Sequence, residues 1–177
     1  MVVRFAMAAR VHNYGCVLEE RNPALDMSSA LTLLGDAVTH RVLRALDGTG
    51  LRPGHGYLMQ RLVTGPATAT EIADELGISQ QAVSKALKEL GDLGHVEVVS
   101  GTGDRRRRPM TLTATGRDAV GRARAARREI DERLRDTLGA DEFNATMAAL
   151  RTALDALGLG DQIRRRAVQP PTGALED

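Results

Sequence analysis

Between Thr68 and Leu112 the sequence sets out two amphipathic helix patterns joined through a glycine, then two short strand patterns joined by a glycine- and arginine-rich turn. That order leaves few folds open. Thr68-Ala69-Thr70-Glu71 is a capping box, in which the threonine hydroxyl accepts from the Glu71 amide while the carboxylate reaches back. Ile72, Ala73 and Leu76 supply the buried stripe of this first helix, and Gly77 permits a sharp turn. Ser79 caps the second helix, whose inner face is Val83, Leu87 and Leu90. Its other face carries Gln80, Gln81, Ser84, Lys85 and Lys88, and Gly94 ends it. His95-Val96-Glu97-Val98-Val99 reads as a strand and Ser100-Gly101-Thr102-Gly103 as a flexible turn. Met110-Thr111-Leu112 alternates again and can pair back antiparallel. The pattern predicts a helix-turn-helix with a hairpin wing over residues 51–113.

The flanks are helical. Met27, Leu31, Leu34, Val38, Val42 and Ala45 recur at helical spacing, with Asp26 or Ser28 as N-cap, and Asp47-Gly48-Thr49-Gly50 ends the run. A short helix follows from Gly54 to Val63. On the other side Thr113 caps a long helix to about Leu138, with Val120, Ala123, Ile130, Leu134 and Leu138 inward. At 1.5 Å per residue that helix is roughly 37 Å long, more than a small winged core can cover. Gly139 interrupts, and a last helix carries Phe143, Met147, Leu150, Leu154 and Leu157. The expected class is therefore mainly α (α+β), with residues 27–50 and 114–158 as helices around the winged core whose apolar stripes need a further surface. Residues 1–26, with no sustained period, read as an arm, and residues 159–177, with Pro170-Pro171, as a loose tail.

Composition narrows the function. With 177 residues, 42% hydrophobic and 27% charged, the chain supports one packed domain. Two Tyr, two Phe and no Trp argue against stacking platforms for single-stranded nucleic acid. A single cysteine, Cys16, excludes an intramolecular disulfide framework. No phosphate-loop, nucleophile-elbow or metal-binding helix motif is present, so neither an enzyme nor a cofactor is expected. His12, His40, His55 and His95 contain no close metal-ligand pair. No apolar run approaches a membrane span, and a cytoplasmic protein is expected. The net charge is only +1, yet the basic residues are focused: Arg105 to Arg108 form a block, Arg117 to Arg135 is dense, and the only lysines are Lys85 and Lys88.

At this point the sequence resembles the MarR family of winged helix-turn-helix regulators, over about residues 28–158. Gly94 is followed by Asp104 and Arg106, the Asp-x-Arg of a wing tip, and then by Leu112-Thr113 and Gly116, a Leu-Thr-x-x-Gly step into the next helix. Ile78-Ser79 and Val83-Ser84 match the recognition helix. Val98 stands where the family usually has Arg, and Ser100 and Thr102 stand where wing prolines are common. The resemblance implies a homodimer with interlocked terminal helices, a pseudo-palindromic operator one DNA turn between half-sites, and most often repression. It also implies a small aromatic or anionic effector between the dimer helices and the winged domain; by position, His40, His55, Tyr57 and Arg61 are candidates to line its pocket. Relatives with a peroxide-sensing cysteine carry it within the first helix, which Cys16 precedes.

The mechanism also follows from chemistry. An α-helix fits the major groove, where each base pair presents a distinct donor and acceptor pattern. Gln80 and Gln81 offer amides to adenine edges or phosphates, Ser84 allows close approach, and Lys85 and Lys88 reach guanine or phosphate oxygens. The helix start at Ser79 turns its positive dipole toward a phosphate. At the wing, Arg106, flanked by Arg105 and Arg107, suits the narrow minor groove, and Asp104 orients it. The second reading is a winged helix used as a protein-interaction module without DNA readout.

Overall fold

The computed structural model describes residues 25–99 and 108–164 and, further along, positions 170 and 175. Seven helices and two strands follow in order among them: α1 (Met27–Ala45), α2 (His55–Leu62), α3 (Ala69–Leu76), α4 (Gln80–Asp92), β1 (Val96–Val98), β2 (Met110–Leu112), α5 (Ala114–Leu138), α6 (Ala140–Ala156) and α7 (Gly160–Arg164). Four starts are fixed by side chains. Asp26 accepts from the Ser29 amide at 2.8 Å, and the Ser79 hydroxyl accepts from the Ala82 amide at 3.1 Å. Thr68 and Glu71 close the expected box, with the Thr68 amide donating to Glu71 Oε2 at 2.8 Å. Gly77, at φ 64° and ψ 35°, makes the left-handed turn between α3 and α4.

Thr113 is the fourth cap and does more than start α5. Its hydroxyl accepts from the Gly116 amide at 3.0 Å and donates to the Gly94 carbonyl at 2.7 Å, tying the end of α4 to the start of α5. The Thr113 amide donates to the His95 carbonyl at 3.0 Å. Gly116 lies directly on that carbonyl: a Cβ there would sit 2.1 Å from His95 O. The Leu-Thr-x-x-Gly step is thus a contact between two backbones.

β1 and β2 pair antiparallel with Val96 opposite Leu112, Glu97 opposite Thr111 and Val98 opposite Met110. Ala67 bridges the far side of Met110 through reciprocal backbone bonds of 3.1 and 2.8 Å, an edge that Thr64-Gly65-Pro66 concealed in the sequence. The wing therefore roots on the start of α3 as well as the end of α4. Leu58, Ile72, Val83 and Leu90 are wholly buried at the centre of the winged core.

The long helices pack outside this core, α1 on α5 and α5 on α6. Part of the dense arginine stretch is structural. Arg122 donates to the Ala45 carbonyl at 2.6 Å, satisfying the last turn of α1, and Arg117 donates to the Leu112 carbonyl at 2.6 Å. Arg135 stacks on Phe143 with its guanidinium carbon 4.3 Å from the ring centre. The apolar stripes expected to face inward are buried only in part. Of the α1 stripe only Val42 is buried, while Met27 is 74% exposed, and Leu134 and Leu138 on α5 are exposed too.

The stretch over residues 159–177, expected as a loose tail, shows two features at its described positions. It contains α7, and both Pro170 and Leu175 are buried, Leu175 among the core residues of the winged domain. Periodicity does not reveal the burial of a single leucine.

Candidate nucleic-acid interface

α4 divides cleanly into two faces. Val83, Ala86, Leu87 and Leu90 are buried, so the helix cannot roll without exposing them. That fixes what points outward: Ser79, Gln80, Gln81, Ser84, Lys85 and Lys88 are all exposed. Positions 80, 81, 84, 85 and 88 follow helical spacing and form one polar strip. It combines amide donors and acceptors, a short hydroxyl and two cations, with the positive end of the helix dipole at its head. Both lysines of the chain lie on this strip.

The hairpin continues past its named strands, with the Val99 amide donating to the Pro109 carbonyl at 2.9 Å. Asp104, Arg105, Arg106 and Arg107 lie outside the described residues.

Behind α4, a polar cluster links it to the segment after α1. His55, 2% exposed, accepts the Arg52 amide on Nδ1 at 3.3 Å and faces Glu89 Oε2 with Nε2 at 3.2 Å. Those partners specify the neutral tautomer with the proton on Nε2, donating to Glu89. Burial holds the His55 pKa below its usual value, with the Glu89 hydrogen bond opposing it. The same bond from His55 is the main cause lowering the Glu89 carboxyl. The Arg52 guanidinium pairs with Glu89 as well. His95, equally buried, donates from Nε2 to the Thr49 carbonyl at 3.0 Å, while Nδ1 has no partner among the described residues.

A cavity of about 540 Å³ opens between α1, α2 and α5. Val42 and Leu43 of α1, Tyr57, Gln60 and Arg61 of α2, and Val120, Arg124 and Arg127 of α5 contribute to its walls, as does Arg52 from the connecting segment. Two of the four pocket candidates, Tyr57 and Arg61, line it. The other two are not among its lining residues. His40 lies on the exposed side of α1, and His55 turns away to Glu89. The His55 ring is engaged by the Arg52 amide and by Glu89, on the side of α2 that faces α4. Arg52, Gln60, Arg124 and Arg127 escaped sequence reasoning. For Arg124 and Arg127 a signal existed, since they share a helical face with Val120 and Ala123. For Arg52, in the irregular Gly50-Leu51-Arg52-Pro53 run, there was none.

Among the described residues no group of His, Cys, Asp or Glu side chains is placed to hold a metal ion, and no helix is long and apolar enough to cross a membrane.

The geometry, two helices of a helix-turn-helix with a paired hairpin behind them, defines a winged helix-turn-helix protein. The model of the MarR family matches residues 34–107. Among solved structures, the fold is similar to the Staphylococcus aureus MepR–DNA complex, at 20% identity and TM-score 0.61, covering 73% of this chain and 98% of that one. RV1404 from Mycobacterium tuberculosis is similar at 20% identity and TM-score 0.62, covering 82% and 92% of the two chains. The M. tuberculosis MarR family protein RV2887, in complex with salicylic acid, shares 26% identity at TM-score 0.53, covering 74% and 98%. No curated protein matches the sequence. Over residues 34–107 the chain is thus similar to the MarR family, and its fold is that of these solved structures.

Proposed function

We propose that this chain is a sequence-specific regulator of transcription that binds double-stranded DNA as a homodimer on a pseudo-palindromic operator. In this reading it is a cytoplasmic repressor released by a small aromatic or anionic molecule. The observation that carries the DNA reading is the α4 strip: Gln80, Gln81, Ser84, Lys85 and Lys88 exposed together above a fully buried inner face. Such a helix enters the major groove with base-reading amides and phosphate-reaching lysines already on the correct side. The MepR complex with DNA supports it by likeness of fold. Asp104, Arg105, Arg106 and Arg107 are assigned to the wing tip, with Arg106 in the adjacent minor groove.

Homodimerisation is supported by apolar surface that one chain leaves uncovered. Met27, Leu33 and Leu34 on α1, Leu134 and Leu138 on α5, and Leu157 after α6 are between 41% and 74% exposed. Such side chains occur on the helices the sequence reading gave to dimerisation, and a second copy buries them. The effector reading is supported by the 540 Å³ cavity, a volume within the range of small-molecule sites. The salicylic acid complex of RV2887 and the ethidium bromide complex of MepR support it by likeness.

The test is binding to DNA fragments from upstream of the chain's own gene, followed by fluorescence anisotropy across a salt series. Expected is one preferred fragment, bound as a dimer by light scattering, with affinity falling steeply as salt rises. Uniform weak binding to every fragment, or a monodisperse monomer at micromolar concentration, contradicts the proposal.

A further inference from the structure

The cavity wall carries four arginines, Arg52, Arg61, Arg124 and Arg127, and no aspartate or glutamate among the described lining residues. Its remaining walls are mainly apolar. An occupant that suits it is a small molecule with an apolar body and a negative head. Two of the four arginines are also held by carboxylates from the helix-turn-helix. Arg61 grips Glu75 of α3 through Nε and through a second nitrogen at 2.9 Å, and Arg52 pairs with Glu89 of α4.

We infer that Arg52 is an exchange arginine: an anion entering the cavity takes its guanidinium from Glu89 and so uncouples the recognition helix α4 from the segment that follows α1. This rests on the effector reading above and specifies how that site would act. Three observations carry it. Arg52 is shared between cavity and α4, so a ligand need not travel to reach the helix. The Arg52–Glu89 pair is half-exposed, at 38% and 31% of the two side chains. Such a pair is weak enough to open, whereas one wholly buried would strongly resist separation. Third, the Arg52 backbone amide donates to His55, which itself donates to Glu89. Movement of residue 52 therefore reaches Glu89 by two routes. Glu89 is one turn beyond Lys85 and next to Lys88, so a change in its position is felt on the strip assigned to DNA.

By linkage, the factor by which the anion weakens operator binding equals the factor by which operator weakens anion binding. The probes are salicylate and its neutral analogue salicylamide, with calorimetry for binding and anisotropy for operator affinity. With the wild-type chain, saturating salicylate is expected to weaken operator binding about tenfold, within the usual range of allosteric coupling, and salicylamide to leave it unchanged. Glu89→Gln keeps an acceptor for His55 but removes the competing charge. In that variant salicylate is expected to bind about threefold tighter while its effect on operator affinity falls below about threefold. Arg52→Gln is expected to lose salicylate binding.

If the wild type binds operator but neither binds nor responds to salicylate, the anionic effector reading fails and the exchange with it. If the wild type responds and Glu89→Gln responds equally, the exchange alone is overturned. Equal release by salicylamide overturns it too. Should Glu89→Gln fail to bind operator at all, calorimetry decides: tighter salicylate binding supports the exchange, and unchanged or weaker binding overturns it.

Discussion

Gly116→Ala isolates the backbone contact that joins wing and long helix. The added Cβ would lie 2.1 Å from the His95 carbonyl oxygen, 3.1 Å from its carbon and 3.2 Å from Leu112 Cδ2. Neither of the nearest atoms belongs to a flexible side chain, so β1 and α5 must separate. The His95 oxygen also accepts the Thr113 amide at 3.0 Å, so separation loosens the α5 cap as well. Overpacking of this kind costs about 1–3 kcal/mol and a disturbed hydrogen bond about 1 kcal/mol. Alanine returns about 1 kcal/mol of helix propensity over glycine. The balance is a loss of about 1–3 kcal/mol, which lowers Tm by roughly 2–12 °C in a chain of this size. Gly121 is the control: it lies on the same helix, and a Cβ added there would meet nothing within 4 Å. Gly121→Ala should raise Tm by about 2–4 °C from propensity alone. Both are read by thermal unfolding followed by circular dichroism at one fixed protomer concentration, because the proposed dimerisation would make Tm concentration-dependent. If Gly116→Ala melts at or above the wild-type temperature, the backbone contact is misplaced.

Further perturbations test other joints. The depressed pKa of His55 means that its contribution to stability is full above its usual 6.5 and is lost as pH falls through that value toward the folded one. Glu89, also depressed, adds a second loss below 4.5. Denaturant melts should therefore show stability falling as pH drops below about 6.5 in the wild type and a flatter profile there in His55→Gln; equal slopes would contradict the buried neutral tautomer. Arg122→Ala removes the bond to the Ala45 carbonyl and should cost about 0.5–1.5 kcal/mol by urea titration, an unchanged midpoint showing that the α1 terminus needs no such partner.

Local rules made most of the fold legible. Asp26, Thr68, Ser79 and Thr113 cap where their side-chain chemistry places them, and the strands pair where β-branched alternation sets them. The outward strip of α4 was readable because amphipathic spacing gives both faces of a helix at once. What escaped depends on contacts distant in sequence. The Ala67–Met110 bridge, the Arg122 bond to Ala45 and the burial of Leu175 have no local signature. The partner of His55 was not legible either, because Glu89 lies 34 residues further along the chain. Arg52 was invisible because an irregular connection carries no periodicity from which to infer a facing surface.

The central claim is that the α4 strip reads DNA while the wing grips it, and operator affinity measured against salt for three variants tests it most directly. Arg106→Ala should weaken binding to every sequence and reduce the salt slope by about 1, as loss of one phosphate-region cation requires. Gln81→Ala and Lys85→Ala should instead change the ranking among operator variants, by about 1–3 kcal/mol at the base pair each one reads. Wild-type affinity, ranking and salt slope in all three would contradict the account.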